Sequence, residues 1–382
     1  MSIYPTYKTY VINLDLPPRQ RWVHVIKDNL DVLEVLVSAY NQALIEEFGA
    51  LAPLANLLSG MVYVPNVFKE EMRGLAEASD GRLSYALVLR LNIGYDFVAK
   101  CTSAGVRLNN MLYHLRNMDW DMNVLKKVTI ILKFERGGRI VHQGISWVGF
   151  VGTYTQMSAA GYSISLNYRK VGVSDLLHIF SALVARTQSI GFVVRLLLEE
   201  GLPYEQFVSR LLSAKLIAPC YLTVVGINQA VVVTRGKRVE EECRNLEECR
   251  GGGAYVIQTN HDPWLAKVGG AYELTDNRWQ AWAAGDELLL DTKERYACAM
   301  KGIKAVVSEL STRGSEALEQ GGEEAAALSD SVKACGLELA EGMDTDAIAR
   351  FVGVLKTPPV YNRQTVYGVI MIPEKQQLIP IT

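Results

Sequence analysis

A cysteine followed at fixed distances by an arginine and an aspartate constrains this chain more than any other feature. Cys101 opens the run CTS, and Arg116 and Asp119 follow it by 15 and 18 residues within LRNMDW. This spacing predicts a β-hairpin whose first strand starts at the cysteine and whose second strand carries the guanidinium and the carboxylate back to it. The pattern indicates a thiol nucleophile with a cation and an anion beside it.

The thiol needs a source of activation, because the thiolate is the attacking species and no metal-like cysteine or histidine adjoins Cys101. The simplest source is its own amine, freed by cutting the chain between Lys100 and Cys101. An α-amine has a pKa of about 7.7–8.0 and can take up the thiol proton. Arg116 could fix a substrate carbonyl or orient the nucleophile, and Asp119 could hold the new ammonium group. The alternative is an inert buried cysteine, a common place for this residue.

Further motifs in the same order resemble the acid ceramidase and N-acylethanolamine-hydrolysing acid amidase family of N-terminal-nucleophile hydrolases. Besides CTS and LRNMDW they are YVINLDLPPRQRW (10–22), FKEEMRGLA (68–76), GFVGTYTQMSAAGYSISLN (149–167), LIAPCYLTVVGINQAVVVTR (216–235), QTNHDPW (258–264) and LKTPPVYNRQTVYGVIM (355–371). They span nearly the whole chain. CTS alone is a weak signal, but the ordered set is specific.

The resemblance implies an α+β fold, the four-layer αββα sandwich of N-terminal-nucleophile hydrolases, with a mainly helical N-terminal α-chain segment. It implies that Cys101 is the nucleophile exposed by self-cleavage after Lys100, with Arg116 and Asp119 as its partners. It also implies that Asn260 is an oxyanion-hole residue. One such donor can lower an acyl-transfer barrier by about 3–4 kcal/mol.

Two positions depart from the family pattern. Tyr168 stands where the family suggests a glutamate after Asn167, which puts the rate and an acidic optimum in doubt. A later family arginine has two candidates, Arg278 and Arg295, and the run DTKERYACAM favours Arg295. His114 would share a strand face with Arg116, two residues on, and is a further candidate for the substrate site together with the residues at 167, 168 and 278.

The resemblance implies a self-processing cysteine amidase that cleaves N-acyl lipids of the ceramide or N-acylethanolamine type into a fatty acid and an amine. Two alternatives stay open: an acyltransferase that uses the same acyl-cysteine, and a catalytically silent lipid-binding relative. We expect no cofactor and no metal, since Cys243 and Cys249 are near neighbours without a histidine. The net charge of −2 and the lack of a long basic run do not favour a nucleic-acid partner.

The expected organisation is an N-terminal α-chain of residues 1–100, retained after cleavage, and a catalytic β-chain of residues 101–382. An acidic insertion is expected at about 310–342. The apolar stretch 51–68 could pack on the catalytic part or contact a membrane or micelle surface. The opening residues lack the apolar core of a signal peptide, no glycosylation sequon occurs, and the first 100 residues hold no cysteine for an interchain disulfide. We therefore expect a cytoplasmic enzyme, or a lysosomal one if a leader precedes this numbering.

Hydrophobic periodicity and turn residues predict the main elements. The predicted strands cover residues 11–16, 128–134, 139–147, 221–225, 230–234, 254–258 and 365–372. The predicted helices cover 26–44, 174–186, 190–200, 204–213 and a segment capped by Asp344 that extends to 351.

Overall fold

The computed structural model describes residues 7–51, 53, 62–94, 100–169, 187–236, 240–248, 253–262, 265–268, 271–274, 287–311 and 339–381. The predicted helix at 174–186 and Arg278 lie outside these residues, as do residues 52 and 54–61 of the apolar stretch 51–68 and residues 312–338 of the expected insertion at 310–342. None of the helices in the described ranges is both long and apolar enough to cross a membrane.

Two large sheets form the centre of the molecule. The eight-stranded sheet has the order β1, β4, β5, β6, β7, β8, β9, β10, and the six-stranded sheet has the order β11, β12, β2, β3, β15, β16. A separate hairpin pairs β13 with β14. The strands are β1 (Thr9–Asn13), β2 (Lys100–Leu108), β3 (Met111–Asp119), β4 (Thr129–Arg136), β5 (Arg139–Trp147), β6 (Thr155–Ser158), β7 (Tyr162–Tyr168), β8 (Cys220–Val225), β9 (Ala230–Arg235), β10 (Glu240–Asn245), β11 (Glu247–Glu248), β12 (Ala254–Gln258), β13 (Leu265–Val268), β14 (Ala271–Leu274), β15 (Thr365–Ile372) and β16 (Gln377–Ile381).

Helices cover the outer faces of the sheets. They are α1 (Val23–Lys27), α2 (Leu30–Phe48), α3 (Asn66–Ala78), α4 (Tyr85–Gly94), α5 (Leu125–Val128), α6 (Ile190–Glu199), α7 (Tyr204–Ser213), α8 (Glu287–Ser311) and α9 (Thr345–Lys356). Helices α8 and α9 share a buried apolar cluster with the six-stranded sheet. A larger cluster joins the eight-stranded sheet to helices α1 to α4, α6 and α7, and it includes Cys101 from β2. The predicted four-layer α+β sandwich is confirmed.

The first hundred residues are part of this sandwich rather than an appendage. Strand β1 forms one edge of the eight-stranded sheet and runs parallel to β4, with Tyr10 opposite Leu132. The eight-stranded sheet is therefore mixed: parallel at this edge and antiparallel between its other neighbouring strands. Tyr10 and Ile12 point into the core, while their neighbours Thr9 and Val11 are exposed, as the alternation of a half-buried strand requires.

Two predictions in this first segment were wrong in detail. Strand β1 starts and ends earlier than the predicted 11–16, since pairing with β4 ends at Asn13 before the chain turns towards the prolines. The predicted helix over 26–44 is split between α1 and α2 at Asn29. The side-chain amide of Asn29 donates to the carbonyl of Val25 (2.7 Å) and to the hydroxyl of Tyr10 (2.8 Å). Such side-chain bonds compete with the helical backbone pattern.

The predictions for the described elements later in the chain agree closely with the structure. Both predicted hairpins form: β4 with β5, and β8 with β9. Helix α7 and strands β12 and β15 have the predicted bounds. Asp344 accepts a hydrogen bond from the amide of Ala347 (2.9 Å) and so caps α9. That helix continues to Lys356 rather than ending at 351, because its apolar face stays buried up to Leu355.

Candidate active site

The predicted hairpin is β2 followed by β3, and its register sets the first geometry of the site. Cys101 lies opposite Met118, and Ser103 lies opposite Arg116. Residues opposite each other in an antiparallel pair share a face, so the thiol and the guanidinium project to the same side. Asp119 lies opposite Lys100 and therefore belongs to the other face of the ladder. Lys100 is half-buried, whereas the other residues of this group are buried.

The backbone of residue 101 is held by side chains from distant parts of the chain. The Cys101 amide donates to Asn260 Oδ1 (2.8 Å), and the Cys101 carbonyl accepts from Arg295 Nη1 (2.8 Å). Arg295 Nη2 also donates to Asn260 Oδ1 (3.0 Å), which closes the arrangement. Arg295 comes from α8 and Asn260 from the loop after β12, so two separate elements converge on the backbone of one residue.

Arg116 is buried between the sheets and makes three hydrogen bonds. Its Nη1 donates to Asn167 Oδ1 (2.6 Å) and to Ser103 Oγ (3.1 Å), and its Nη2 donates to the sulfur of Met118 (3.0 Å). Its Nε finds no partner within the described ranges. A buried donor without a partner is uncommon and is often found where a reacting group binds.

The thiol of Cys101 is fully buried and lies 3.4 Å from the sulfur of Met118. Burial raises the pKa of this thiol above its usual value. The charges of Arg116 and Arg295 oppose that rise, whereas the carboxylate of Asp119 adds to it. In the uncleaved chain, therefore, residue 101 carries a neutral thiol near neutral pH.

Asp119 is a buried carboxylate with one oxygen held and one oxygen unpaired. The hydroxyl of Thr365 donates to Asp119 Oδ1 (2.6 Å), while Oδ2 accepts no hydrogen bond from any described residue. Arg295 Nη1 lies 3.9 Å from that second oxygen. Burial raises the pKa of the Asp119 carboxyl, against the lowering effects of Arg295 and of the Thr365 hydrogen bond.

Asn260 is fixed by contacts on both sides of its side chain. Its backbone amide donates to Thr292 Oγ1 on α8 (2.7 Å), and its Nδ2 donates to the carbonyl of Tyr168 (2.8 Å). Tyr168 itself is half-buried at the end of β7, so the residue that replaces the expected glutamate adjoins the site through its backbone. Asn260 thus engages the peptide of residue 101 through its oxygen and β7 through its nitrogen.

Asn167 is more central than the sequence suggested. Its Oδ1 faces Arg116 and Ser103, and its Nδ2 donates to the carbonyls of Gln258 (2.9 Å) and Thr259 (3.1 Å). The same nitrogen lies 3.4 Å from the carbonyl of Cys101. One amide therefore joins β2, β3, β7 and the end of β12.

Sequence reasoning missed a buried ion pair beside Asn260. Arg169 binds Asp262 through two parallel hydrogen bonds of 2.8 Å, and the hydroxyl of Tyr221 donates to the same carboxylate (2.6 Å). This pair ties the loop that carries Asn260 to the end of β7. The sequence did contain a signal for this ion pair, namely Asp262 within QTNHDPW. An aspartate beside a functional asparagine in a buried loop needs a cationic partner.

The structure brings together Cys101, Arg116, Asp119, Asn167, Asn260 and Arg295, with Lys100 and Tyr168 adjoining them. His114 precedes Arg116 by two residues on β3 and is fully buried between the sheets. Its ring nitrogens contact the hydroxyls of Ser163 and Ser165, each at 2.8 Å. Arg278 lies outside the described residues. Arg295 is the arginine that the described structure brings to residue 101.

Comparisons with known proteins agree with this architecture. A family model described as the beta subunit of N-acylethanolamine-hydrolyzing acid amidase matches residues 5–59. Acid ceramidase of Macaca fascicularis is 31% identical over 289 residues, which cover 68% of this chain and 72% of the relative. Acid ceramidase of Homo sapiens gives the same identity and coverage. The solved Caenorhabditis elegans N-acylethanolamine-hydrolyzing acid amidase ortholog matches with a TM-score of 0.51 and 22% identity, over 74% of this chain and 100% of its own. That likeness shows a common fold.

Proposed function

Since this chain belongs to the acid ceramidase and N-acylethanolamine-hydrolysing acid amidase family and is an amide hydrolase, we propose that it is a self-processing cysteine amidase of N-acyl lipids. The names of its relatives support ceramide or N-acylethanolamine as the type of substrate. The products would be a fatty acid and an amine.

One observation carries the proposal: the site is organised around the backbone of residue 101 as well as its thiol. Asn260 accepts from the Cys101 nitrogen and Arg295 donates to the Cys101 carbonyl. A cysteine nucleophile served by a histidine needs neither contact. Within the described part of the chain, burial, Arg116, Asp119 and Arg295 act on the thiol pKa, and no histidine does. This pattern supports a nucleophile whose base is its own nitrogen.

Self-cleavage would begin with attack of the Cys101 sulfur on the carbonyl carbon of Lys100. The carbon–nitrogen bond breaks, the nitrogen of Cys101 leaves as an amine with the thiol proton, and a thioester forms. Water then hydrolyses the thioester, which gives a carboxylate at Lys100 and restores the thiol. The unpaired oxygen of Asp119 is a suitable acceptor for the new ammonium group, because a buried carboxylate oxygen without a partner is costly.

Substrate turnover would repeat the same chemistry on an external amide. The thiol attacks the acyl carbon while the amine of residue 101 takes its proton and then passes it to the leaving amine. Asn260 would donate to the oxyanion through Nδ2, the nitrogen that also binds the Tyr168 carbonyl, together with a backbone N–H, and Arg116 would orient the acyl group. Water finally releases the fatty acid and regenerates Cys101.

Mass spectrometry of purified protein, combined with N-terminal sequencing, tests this proposal. We expect a fragment of 100 residues and a second fragment of 282 from the 382-residue chain, the second starting at Cys101. Cys101→Ala should abolish both cleavage and release of fatty acid from an N-acyl amide. Cys243→Ala is the matched control, because that cysteine is exposed on β10, the edge strand of the eight-stranded sheet. It should cleave and hydrolyse like the wild type.

Three outcomes would contradict the proposed function. An uncleaved wild-type chain that still hydrolyses the amide would refute self-processing as the source of the base. A chain that neither cleaves nor hydrolyses would favour the silent lipid-binding alternative. If added primary amines are acylated faster than water is used, the acyl-cysteine serves transfer rather than hydrolysis.

A further inference from the structure

A file of buried hydrogen bonds runs between the two sheets from His114 to Asn167. His114 Nε2 lies 2.8 Å from Ser165 Oγ. Ser165 Oγ lies 2.9 Å from Ser103 Oγ, which in turn lies 2.7 Å from Asn167 Oδ1. All four side chains are fully buried, so bulk water does not compete for these bonds.

Arg116 and Asn167 fix the direction of every hydrogen in this file. Asn167 Nδ2 faces the carbonyls of Gln258 and Thr259, so the atom that faces Ser103 is the amide oxygen, which only accepts. Arg116 Nη1, which only donates, binds both that oxygen and Ser103 Oγ. Ser103 must therefore give its single hydrogen to Asn167.

The remaining hydrogens follow in turn. Because Ser103 has given its hydrogen to the amide, Ser165 must donate to Ser103. Ser165 is then left with an oxygen that can only accept from His114, which requires a hydrogen on Nε2. The other ring nitrogen, Nδ1, faces Ser163 Oγ at 2.8 Å and accepts from it. Burial lowers the pKa of His114 to about 3, with the charge of Arg116 adding to the effect, so the ring carries one hydrogen.

We propose that His114 is a positioning residue for the amidase reaction, acting through its Nε2–H. That hydrogen completes the file whose direction Arg116 and Asn167 fix, and thereby helps to hold Ser103, Asn167 and Arg116 in one arrangement beside Cys101. The proposal rests on the proposed function, because Arg116, which the file helps to hold beside Cys101, is the group assigned there to orienting the acyl group. It differs from the expectation that His114 contacts substrate, since the ring acts only through hydroxyl and amide groups.

The consequence of losing the donor can be traced along the file. Without a hydrogen from Nε2, the Ser165 oxygen loses its donor, so the Ser165 hydroxyl can rotate away from Ser103 and leave Arg116 as the donor that still holds Ser103. The oxygen of Asn167 then loses Ser103 as a fixed partner. The nitrogen of the same amide binds the carbonyls of Gln258 and Thr259 and lies near that of Cys101, so a shift of Asn167 would reach the site. A misplacement of about 1 Å at a reacting group can lower a rate about 100-fold. The rate constant kcat should therefore fall more than KM rises.

The first test compares three variants of His114 with a buried histidine outside the file. We expect His114→Phe to lower kcat by about tenfold to hundredfold with little change in KM. His114→Gln can place an amide hydrogen where Nε2 lies and should recover much of the loss. His114→Asn reaches only as far as Nδ1 and should not. His142→Phe is the control, because His142 is fully buried, stacked on Phe134 and bonded to Gln156 rather than to the file.

The second test reads the tautomer directly and needs no activity. Long-range ¹H–¹⁵N spectra of histidine-labelled Cys101→Ala protein should show a neutral Nε2–H ring, assigned by its absence in the Cys101→Ala/His114→Gln double variant. An Nδ1–H ring, or a doubly protonated one at neutral pH, would overturn the proposed direction. Equal kcat in folded His114→Phe and His142→Phe, with an active wild type, would overturn the positioning role. An inactive, uncleaved wild type would instead refute the proposed function, while the spectrum still decides the tautomer.

Discussion

At the scale of single residues, the site depends on charges that are buried with few partners. Asp119 has one oxygen bound to Thr365 and one unpaired, and its neighbouring cation Arg295 is 3.9 Å away. A carboxylate in this position is sensitive to each remaining hydrogen bond, because bonds to charged groups are worth about 1.5–3 kcal/mol. The hydroxyl of Thr365 is therefore a control on the protonation of Asp119.

Replacing Thr365 by valine should move the acidic limb of the pH profile upwards. The Thr365 hydrogen bond lowers the pKa of Asp119, so its loss raises that pKa, and the charged form then appears only at higher pH. We expect a shift of about one to two pH units in the acidic limb of self-cleavage and of kcat/KM, from a hydrogen bond of about 1.5–3 kcal/mol. Thr365→Ser keeps the hydroxyl and should leave the limb in place. An unchanged limb in the valine variant would show that Asp119 is not the group that titrates.

Spacing alone could predict only those site residues that lie close together along the chain, whereas Asn260 and Arg295 were predicted from the resemblance to a family. Cys101, Arg116 and Asp119 belong to one hairpin, so spacing alone places them on adjacent strands. Ser103 and Thr365 escaped prediction because their roles depend on register and on contacts with remote strands. The Thr365 hydroxyl, for instance, reaches Asp119 across 246 positions of the chain. Local patterns carry no information about such contacts.

At the scale of elements, the β-hairpins followed from turn residues and alternation, whereas the N-terminal elements did not. Strand β1 is an edge strand that pairs in parallel with a strand more than a hundred residues later, and its ends are set by that partner. The break between α1 and α2 comes from the Asn29 side chain, which binds Tyr10 on β1. Tertiary contacts decide both boundaries, so periodicity alone could not locate them.

The close approach of the two sheets beside the hairpin is itself testable. A Cβ at Gly105 in β2 would lie 2.8 Å from the Cβ of Ala230 in β9 and 3.1 Å from a methyl group of Val225 in β8. Gly105→Ala should therefore lower the free energy of unfolding by about 1–3 kcal/mol, as overpacking of a core does. Chemical denaturation of proteins that also carry Cys101→Ala measures this without interference from cleavage.

Two further variants give this prediction its controls. Ala230→Gly in the same chain should restore most of the lost stability, because it removes the opposing methyl group. Gly353→Ala, at an exposed helical position with nothing within 4 Å, should instead raise stability by about 0.5–1 kcal/mol. A Gly105→Ala protein as stable as its parent would mean that the two sheets accommodate the added methyl group without loss of stability.

At the scale of the whole molecule, the segment before Cys101 is integrated into the catalytic part. It supplies β1 to the eight-stranded sheet, and Asn92 of α4 accepts from the amide of Val151 and donates to the carbonyl of Gly149, each at 2.8 Å. We therefore expect the N-terminal fragment to stay bound after cleavage, without a disulfide. A buried charge cluster also joins the residues before and after the proposed cleavage position.

Glu71 of α3 is the centre of that cluster. Its fully buried carboxylate accepts from Arg21 (3.0 Å) and Trp22 (2.9 Å) within the first segment, and from Arg195 of α6 (2.8 Å) in the second. Arg195 also donates to the carbonyl of Val151 (2.7 Å). Removal of the Glu71 charge leaves Arg21 without this partner and Arg195 with Glu199 (2.9 Å) as its remaining counter-charge, and breaking such a buried cluster costs about 3–5 kcal/mol.

Glu71→Gln should therefore weaken the association of the two fragments after cleavage. In the Cys101→Ala background the substitution should lower the free energy of unfolding by about 3–5 kcal/mol. In the cleaved protein, gel filtration at decreasing concentration should show the N-terminal fragment separating from the rest, while the wild-type fragments elute together. Glu77→Gln on the same helix is the matched control. Its side chain is 62% exposed and pairs with Arg19 at the surface, so the loss should stay below about 1 kcal/mol. If the two variants show the same free energy of unfolding and the same elution, strand pairing and apolar packing alone hold the fragments together. The buried charges would then contribute nothing to the association of the fragments.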